Sequence, residues 1–152
     1  MNDIVSSQLR GIDGFNPQEL GVGKALAGGV TTVGTGPGSA NVLGGTFIAV
    51  KTHGHCVDDM IVKDPVAMKC AFGENPKRCY QNKSDSSRMT TAAKLREMLF
   101  AARDYMSRKE SAGDDLSKQP KYDMKMEALI PVLQGEIPLK AHAHRADDIC
   151  TA

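Results

Sequence analysis

Tryptophan is absent from this chain, and aromatic residues make up only 5% of its 152 residues. That scarcity removes the stacking platforms on which single-stranded nucleic acid is held. Nor is there an excess of either charge. Nineteen Lys and Arg against eighteen Asp and Glu leave a formal +1, so no field gathers nucleic acid or an anionic membrane. No run of about 18 apolar residues occurs, and residues 1–5 lack a basic region followed by an apolar stretch, which excludes a spanning helix and a standard secretory signal. The four cysteines, Cys56, Cys70, Cys79 and Cys150, form no C-x-x-C pair, which argues against a zinc ribbon or a redox motif. With 41% hydrophobic residues the chain has an ordinary core and needs no disulfide framework. Reduced thiols in a cytoplasmic protein, with neither nucleic acid nor membrane as partner, are the expectation.

This length holds one domain, or part of one. Asn16, Pro17 and Glu19 form a helix start, because Asn can cap, Pro suits the first helical position and Glu favours the positive end. The helix continues through Leu20 and Ala27 to a stop at Gly28 and Gly29. Val30, Thr31, Thr32 and Val33 read as a buried strand from their β-branched content. The Gly-, Pro- and Ser-rich stretch 34–45 predicts a surface loop. Residues 46–52 and 60–62 are short strand candidates, a hairpin around His53, Gly54 and His55. Residues 66–72 form the next strand, ended by Gly73, and residues 75–88 read as a polar loop.

From Thr90 or Thr91 the apolar residues Leu95, Met98, Leu99, Ala102, Tyr105 and Met106 keep helical spacing, with Gly113 beyond the polar end. A charged linker follows at 111–121. Met126, Leu129, Ile130 and Leu133 mark a further helix that stops at Gly135 and is kinked by Pro131. Residues 137–144 form the last strand, and 145–152 open another helix. The alternation predicts an α/β fold, a mostly parallel sheet with outer helices. A barrel segment and an open doubly wound sheet share this pattern.

Residues two apart on a strand point to one side, so His142 and His144 leave the last strand on a common face. Imidazoles at a strand end can reach a metal or a substrate; two histidines bonded to backbone at a strand-to-helix corner are the alternative. Lys69, in an otherwise apolar strand, is costly unless paired or modified, or unless it snorkels to an edge. Glu74 could serve a site or steady the turn formed by residues 73–76. His53 and His55 follow a glycine-rich loop and precede Asp58 and Asp59, a solvated turn context. The glycines of 36–45 allow close approach to a ligand, but no G-x-x-x-x-G-K-[ST] phosphate loop occurs.

The stretch Ile137-Pro138-Leu139-Lys140-Ala141-His142-Ala143-His144-Arg145-Ala146-Asp147-Asp148-Ile149 resembles the fifth-strand metal segment of amidohydrolase barrels. The stretch Met68-Lys69-Cys70-Ala71-Phe72-Gly73-Glu74-Asn75-Pro76-Lys77-Arg78 resembles the fourth-strand end in the subgroup that includes imidazolonepropionase-like hydrolases. Residues 36–45 look like the loop after the second strand, and the resemblance runs from about Gly11 to Ala152. It implies a partial (β/α)8 TIM barrel, about strands 2 to 5, with residues 1–152 as one partial catalytic-barrel domain; a complete barrel takes about 250 residues.

By that resemblance His142 is a ligand of a divalent metal, zinc, with His144 and Arg145 near the site and Ser39 and Asn41 on its substrate side. The family offers two precedents at the fourth strand, a carboxylated lysine that Lys69 matches and a glutamate that Glu74 matches; Glu74 is slightly preferred and both are carried. The implied reaction is hydrolysis of a C–N bond in a small amide or cyclic amide by metal-activated water. Absent are a first-strand H-x-H in its proper context, a sixth-strand histidine and an eighth-strand aspartate. The chain alone is therefore expected to be inactive and to hold metal loosely. The rival expectation is a non-catalytic α/β domain for oligomerisation or partner binding. Open strand edges predict a homo-oligomer in either case.

Overall fold

The computed structural model of the chain describes residues 3–82 and 86–152. Residues 1–2 of the N-terminal stretch read for a signal, and 83–85 of the expected loop 75–88, lie outside the described residues. Among the described residues the strands β1 (Thr32–Thr35), β2 (Leu43–Lys51), β3 (Ile61–Ala71) and β4 (Leu139–His142) form one sheet in that order. β1 pairs antiparallel with β2, β2 antiparallel with β3, and β3 parallel with β4. The architecture is thus mixed α/β, and the expectation of a mostly parallel sheet is corrected.

Connection length explains the difference, because a parallel return needs a crossover of a dozen or more residues. The links from β1 to β2 and from β2 to β3 are too short for one. The second contains only the single-turn helix α2 (Val57–Met60), and the hairpin expected around His53 to His55 forms there; α1 (Leu20–Ala27) precedes β1. Between β3 and β4, by contrast, lie α3 (Glu74–Tyr80), α4 (Arg88–Ala112), α5 (Met124–Glu127) and α6 (Ile130–Leu133), followed after β4 by α7 (Ala146–Thr151).

The sheet carries apolar packing at two places. Leu43, Met68 and Cys70 are buried with Val5, Leu95, Ala102, Leu129 and Ile137, so α4, α5 and α6 cover one face of β3. Ile48, Val50 and Met60 are fully buried in a smaller cluster, against which Ile12 and Phe15 of the N-terminal segment, Val22 of α1 and Val33 pack. Burying each such side chain contributes about 1.5–3 kcal/mol. Alternation along β3 then sets Lys69 and Ala71 on the face opposite Met68 and Cys70.

Helix α4 matches its expected periodicity, and its ends show why. The Ser87 hydroxyl accepts from the Thr90 N–H while the Thr90 hydroxyl accepts from the Ser87 N–H, and Gly113 ends the helix at φ 50°. Helix α1 starts at Leu20, because the Asn16 side chain accepts from the Gln18 N–H in a local turn instead of capping. The helix expected through Pro131 is two helices. Pro131 falls in the first positions of α6, where its missing N–H costs nothing.

Three expectations change with tertiary context. The strand expected at 30–33 runs instead over Thr32–Thr35 at a half-exposed sheet edge, with Val30 exposed. β-Branched content signals an extended backbone and says little about burial. The expected surface loop 34–45 ends inside the protein, with Val42 and Leu43 fully buried and Gly44 and Gly45 in β2. Residues 75–80 of the expected polar loop are helical, since Pro76 and Tyr80 are buried beneath it.

Gly45 has a demanding backbone, with φ 111° and no room for a Cβ against the Leu9 carbonyl, whose oxygen accepts from the Thr46 N–H at 2.9 Å. We expect Gly45→Ala to lower stability by roughly 1–3 kcal/mol in urea unfolding. An unchanged midpoint would show that β2 does not depend on this close approach.

Candidate functional site

The C-terminal ends of β3 and β4 lie side by side, with Lys69 opposite Lys140 and Ala71 opposite His142. The Phe72 N–H donates to the His142 carbonyl at 2.8 Å and closes the ladder. Alternation puts Lys69, Ala71, Lys140 and His142 on one face, away from the helix-covered core. The Asn75 amide nitrogen lies 3.1 Å from His142 Nε2. Because an amide nitrogen only donates, this contact leaves the neutral ring with its proton on Nδ1. The His144 ring stands edge-on to that of His142, with centroids 4.4 Å apart and planes at 84°.

Lys69 is only 5% exposed and donates to the Cys70 carbonyl at 3.1 Å. It makes no ion pair among the described residues. Burial pushes its pKa below the usual 10.5; the neighbouring Cys70 works against that shift and Lys140 adds to it. Burial also pushes the Cys70 thiol up to about 11. His142 shifts below 6.5, first by burial and then through Lys69 and His144. Burial thus disfavours the charged form of each side chain, and the neutral forms of both are electron-pair donors.

Glu74 faces a different environment. Its side chain is 48% exposed, and Oε1 accepts from Arg88 Nη1 at 2.7 Å and Lys77 Nζ at 3.3 Å. The Lys77 hydrogen bond, followed by the charges of Arg88 and Lys77, holds its pKa below 4.5 against a smaller desolvation effect. Asn41 is buried, its amide donating to the Asp3 carbonyl at 2.7 Å and to Ser6 Oγ at 3.3 Å. Ser39 is half-buried two residues before it, on a loop brought to this end of the sheet because the Val42 carbonyl accepts from the Ala71 N–H at 3.2 Å. His144 and Arg145 are exposed, and Arg145 pairs with Asp147 at 2.9 Å.

The structure thus gathers His142, His144 and Lys69 at one strand end and keeps Glu74 in ion pairs beside them. His53 and His55 are exposed in the turn between β2 and β3, at the opposite end of the sheet. Asn75 was missed by sequence reasoning, although it stands one residue past Glu74 in a segment already singled out. The bond to His142 joins residues 67 apart, and no local pattern encodes it. Among the described residues no three His, Cys, Asp or Glu side chains converge as a metal-holding group.

The lowered Lys69 pKa has a definite stability sign. Between the lowered value and 10.5 the unfolded chain binds more protons than the folded one, so stability rises with pH across that window; the same sign applies to His142 below 6.5. Lys69→Met is expected to raise stability at neutral pH by about 1 kcal/mol and to abolish the alkaline rise, as measured by denaturant unfolding from pH 7 to 10.5. A destabilised variant with the same pH slope would place the amine's stabilising contacts above its desolvation.

No protein-family profile matches the chain. Amidohydrolase tasK of Hapsidospora irregularis is 27% identical over 172 aligned residues, covering 97% of this chain and 17% of that protein. The crystal structure of an amidohydrolase from Thermotoga maritima MSB8 matches with a TM-score of 0.93 and 45% sequence identity, covering 99% of this chain and 40% of that one. The chain therefore spans well under half the length of either relative, and the fold agreement is consistent with part of a TIM barrel. The chain is thus similar in sequence to both of these amidohydrolases and in fold to the one from Thermotoga maritima.

Proposed function

We propose that the chain is a single partial catalytic-barrel domain of a metal-dependent hydrolase, of the imidazolonepropionase-like kind, that cleaves C–N bonds in small amides or cyclic amides. The observation that carries the reading is a buried lysine amine with no counter-charge among the described residues, on the same face as His142, at the adjoining C-terminal ends of two parallel strands. Ligands of this fold class are met at those ends. A neutral amine can add to carbon dioxide: the nitrogen lone pair forms the N–C bond, one N–H proton passes to water, and a carbamate results. Carboxylated Lys69 and His142 would then be two ligands of a divalent metal, zinc. When bound, such a metal lowers the pKa of its water and polarises the substrate carbonyl.

The chain's own residues fit this role in part. Asn75 holds the His142 ring in one orientation and tautomer through Nε2, a contact the ring exchanges for the metal if Nε2 is the ligating atom. Glu74 is the alternative fourth-strand ligand, and it would have to leave Arg88 and Lys77 to serve. His144 and Arg145, exposed beyond the strand end, would meet substrate, as would Ser39 on the neighbouring loop. Asn41 steadies that loop from beneath. The remaining ligands and the proton-moving carboxylate belong to parts of a longer enzyme, in keeping with the 17% and 40% of the relatives that the chain spans.

Cysteines 56, 70, 79 and 150 are all free, which fits a cytoplasmic protein, and no helix among the described residues is long and apolar enough to cross a membrane. The exposed edge at β1 favours self-association of the chain taken alone.

In a full-length enzyme, His142→Ala and Lys69→Ala are expected to lower kcat by roughly 100-fold or more with loss of bound metal, while His53→Ala changes kcat less than about twofold. Equal losses from His142→Ala and His53→Ala would overturn the assignment. Normal metal content in Lys69→Ala would transfer the fourth-strand role to Glu74.

The 152-residue chain by itself is expected to retain less than one zinc per chain after dialysis, to show no hydrolysis, and to sediment as more than a monomer. One tightly held ion per chain would show that these residues already complete a site. A compact monomer would show that the four strands close without a partner.

A further inference from the structure

Arg88 opens α4, and its guanidinium joins two segments remote from it. Nη1 lies 2.7 Å from Glu74 Oε1, just past the end of β3, and Nε donates at 2.9 Å to Oδ1 of Asp148 in α7, just past the end of β4. Asp148 is 4% exposed, while Ile149 beside it is 60% exposed. Asp148 is the only buried residue of α7. The short helix is therefore held by a charge pair, with little apolar packing to assist it. A carboxylate this deep requires its cation, and breaking such a pair leaves an uncompensated buried charge.

The same carboxylate rests on the backbone at Gly73, where φ is 74° and a Cβ would collide with it. Arg88 Nη2 and Asp148 Oδ2 are buried without a partner among the described residues, the idle second arms of a fork that is engaged on one side. The pair thus binds the residue after β3, the start of α4 and the helix after β4 into one corner. The last rung of the β3–β4 ladder, from the Phe72 N–H to the His142 carbonyl at 2.8 Å, lies directly inside that corner.

We propose that Arg88 and Asp148 are positioning residues, a clamp that holds the C-terminal end of β4 against β3 and so fixes where His142 stands relative to Lys69. Neither side chain needs to touch metal or substrate. The clamp acts through the backbone from Asp148 back to His142, and its catalytic consequence rests on the reading of His142 as a ligand. Without the clamp the strand end frays from its open side, while the opposite end, where the Met68 N–H donates to the Pro138 carbonyl at 3.0 Å, stays in place.

Native-state hydrogen exchange on the 152-residue chain tests this directly. In Arg88→Met the Phe72 amide is expected to exchange about 10-fold faster or more, with the Met68 amide changing less than about twofold and Arg88→Lys restoring most of the Phe72 protection. Equal acceleration at both amides, or no change at Phe72, would overturn the clamp. Asp148→Asn, which keeps the shape and removes the charge, gives the same reading if Arg88→Met does not fold. In the full-length enzyme the same Arg88→Met variant is expected to weaken zinc affinity about 10-fold with KM little changed. Selective fraying at Phe72 with unaltered zinc affinity would uphold the clamp and count against His142 as a ligand.

Discussion

Alternation along β3 governs the rest of the molecule. Met68 and Cys70 point into the core that α4, α5 and α6 complete, while Lys69 and Ala71 point the other way, beside Lys140 and His142 of β4. A slip of one residue would send the lysine into the apolar core and turn Met68 and Cys70 away from it, so hydrophobic packing itself holds the register. The site inherits its precision from that packing. His142 can lie beside Lys69 only because Leu43, Leu95 and Leu129 fix the strand that carries Lys69.

Much of this was legible in the sequence wherever the signal was local. The helical spacing of Leu95, Ala102 and Tyr105 located α4, and the Gly73 break located the end of β3. The histidines at 142 and 144 marked a strand end, and the two quoted segments were enough for the amidohydrolase resemblance. What was not legible depended on partners distant in the chain. Val42 and Leu43 are buried because the N-terminal segment covers them, with the Val42 N–H donating to the Ile4 carbonyl at 3.0 Å, and a glycine-rich composition gives no hint of that cover. The antiparallel pairings followed from connection lengths that were visible but outweighed by the helix–strand alternation. Glu74 read as a metal ligand or a turn residue, and its pairing with Arg88, fourteen positions on, has no local signal.

Lys69 illustrates why local rules fail at such a place. A lysine in a buried strand opposes stability, and the fold supplies it with a backbone carbonyl but, among the described residues, no counter-charge. Conflicts of this kind collect at functional sites, where the cost is met by packing elsewhere. The opposite holds at Glu127, where Tyr105 and Lys109 both donate to one carboxylate at 2.6 Å and tie α4 to α5. That network joins two helices through one oxygen, and it is architecture.

The contact between Gly73 and Asp148 restricts how this sequence can drift. The carboxylate fills the volume that a side chain at 73 would take, and the backbone there already favours glycine. Enlarging residue 73 would expel Asp148 from Arg88, while shortening residue 148 would leave a hole and an arginine paired with Glu74 alone. Each position is frozen by the other, so single-step routes away from this pair all pass through a damaged intermediate, although a simultaneous change at both sites need not.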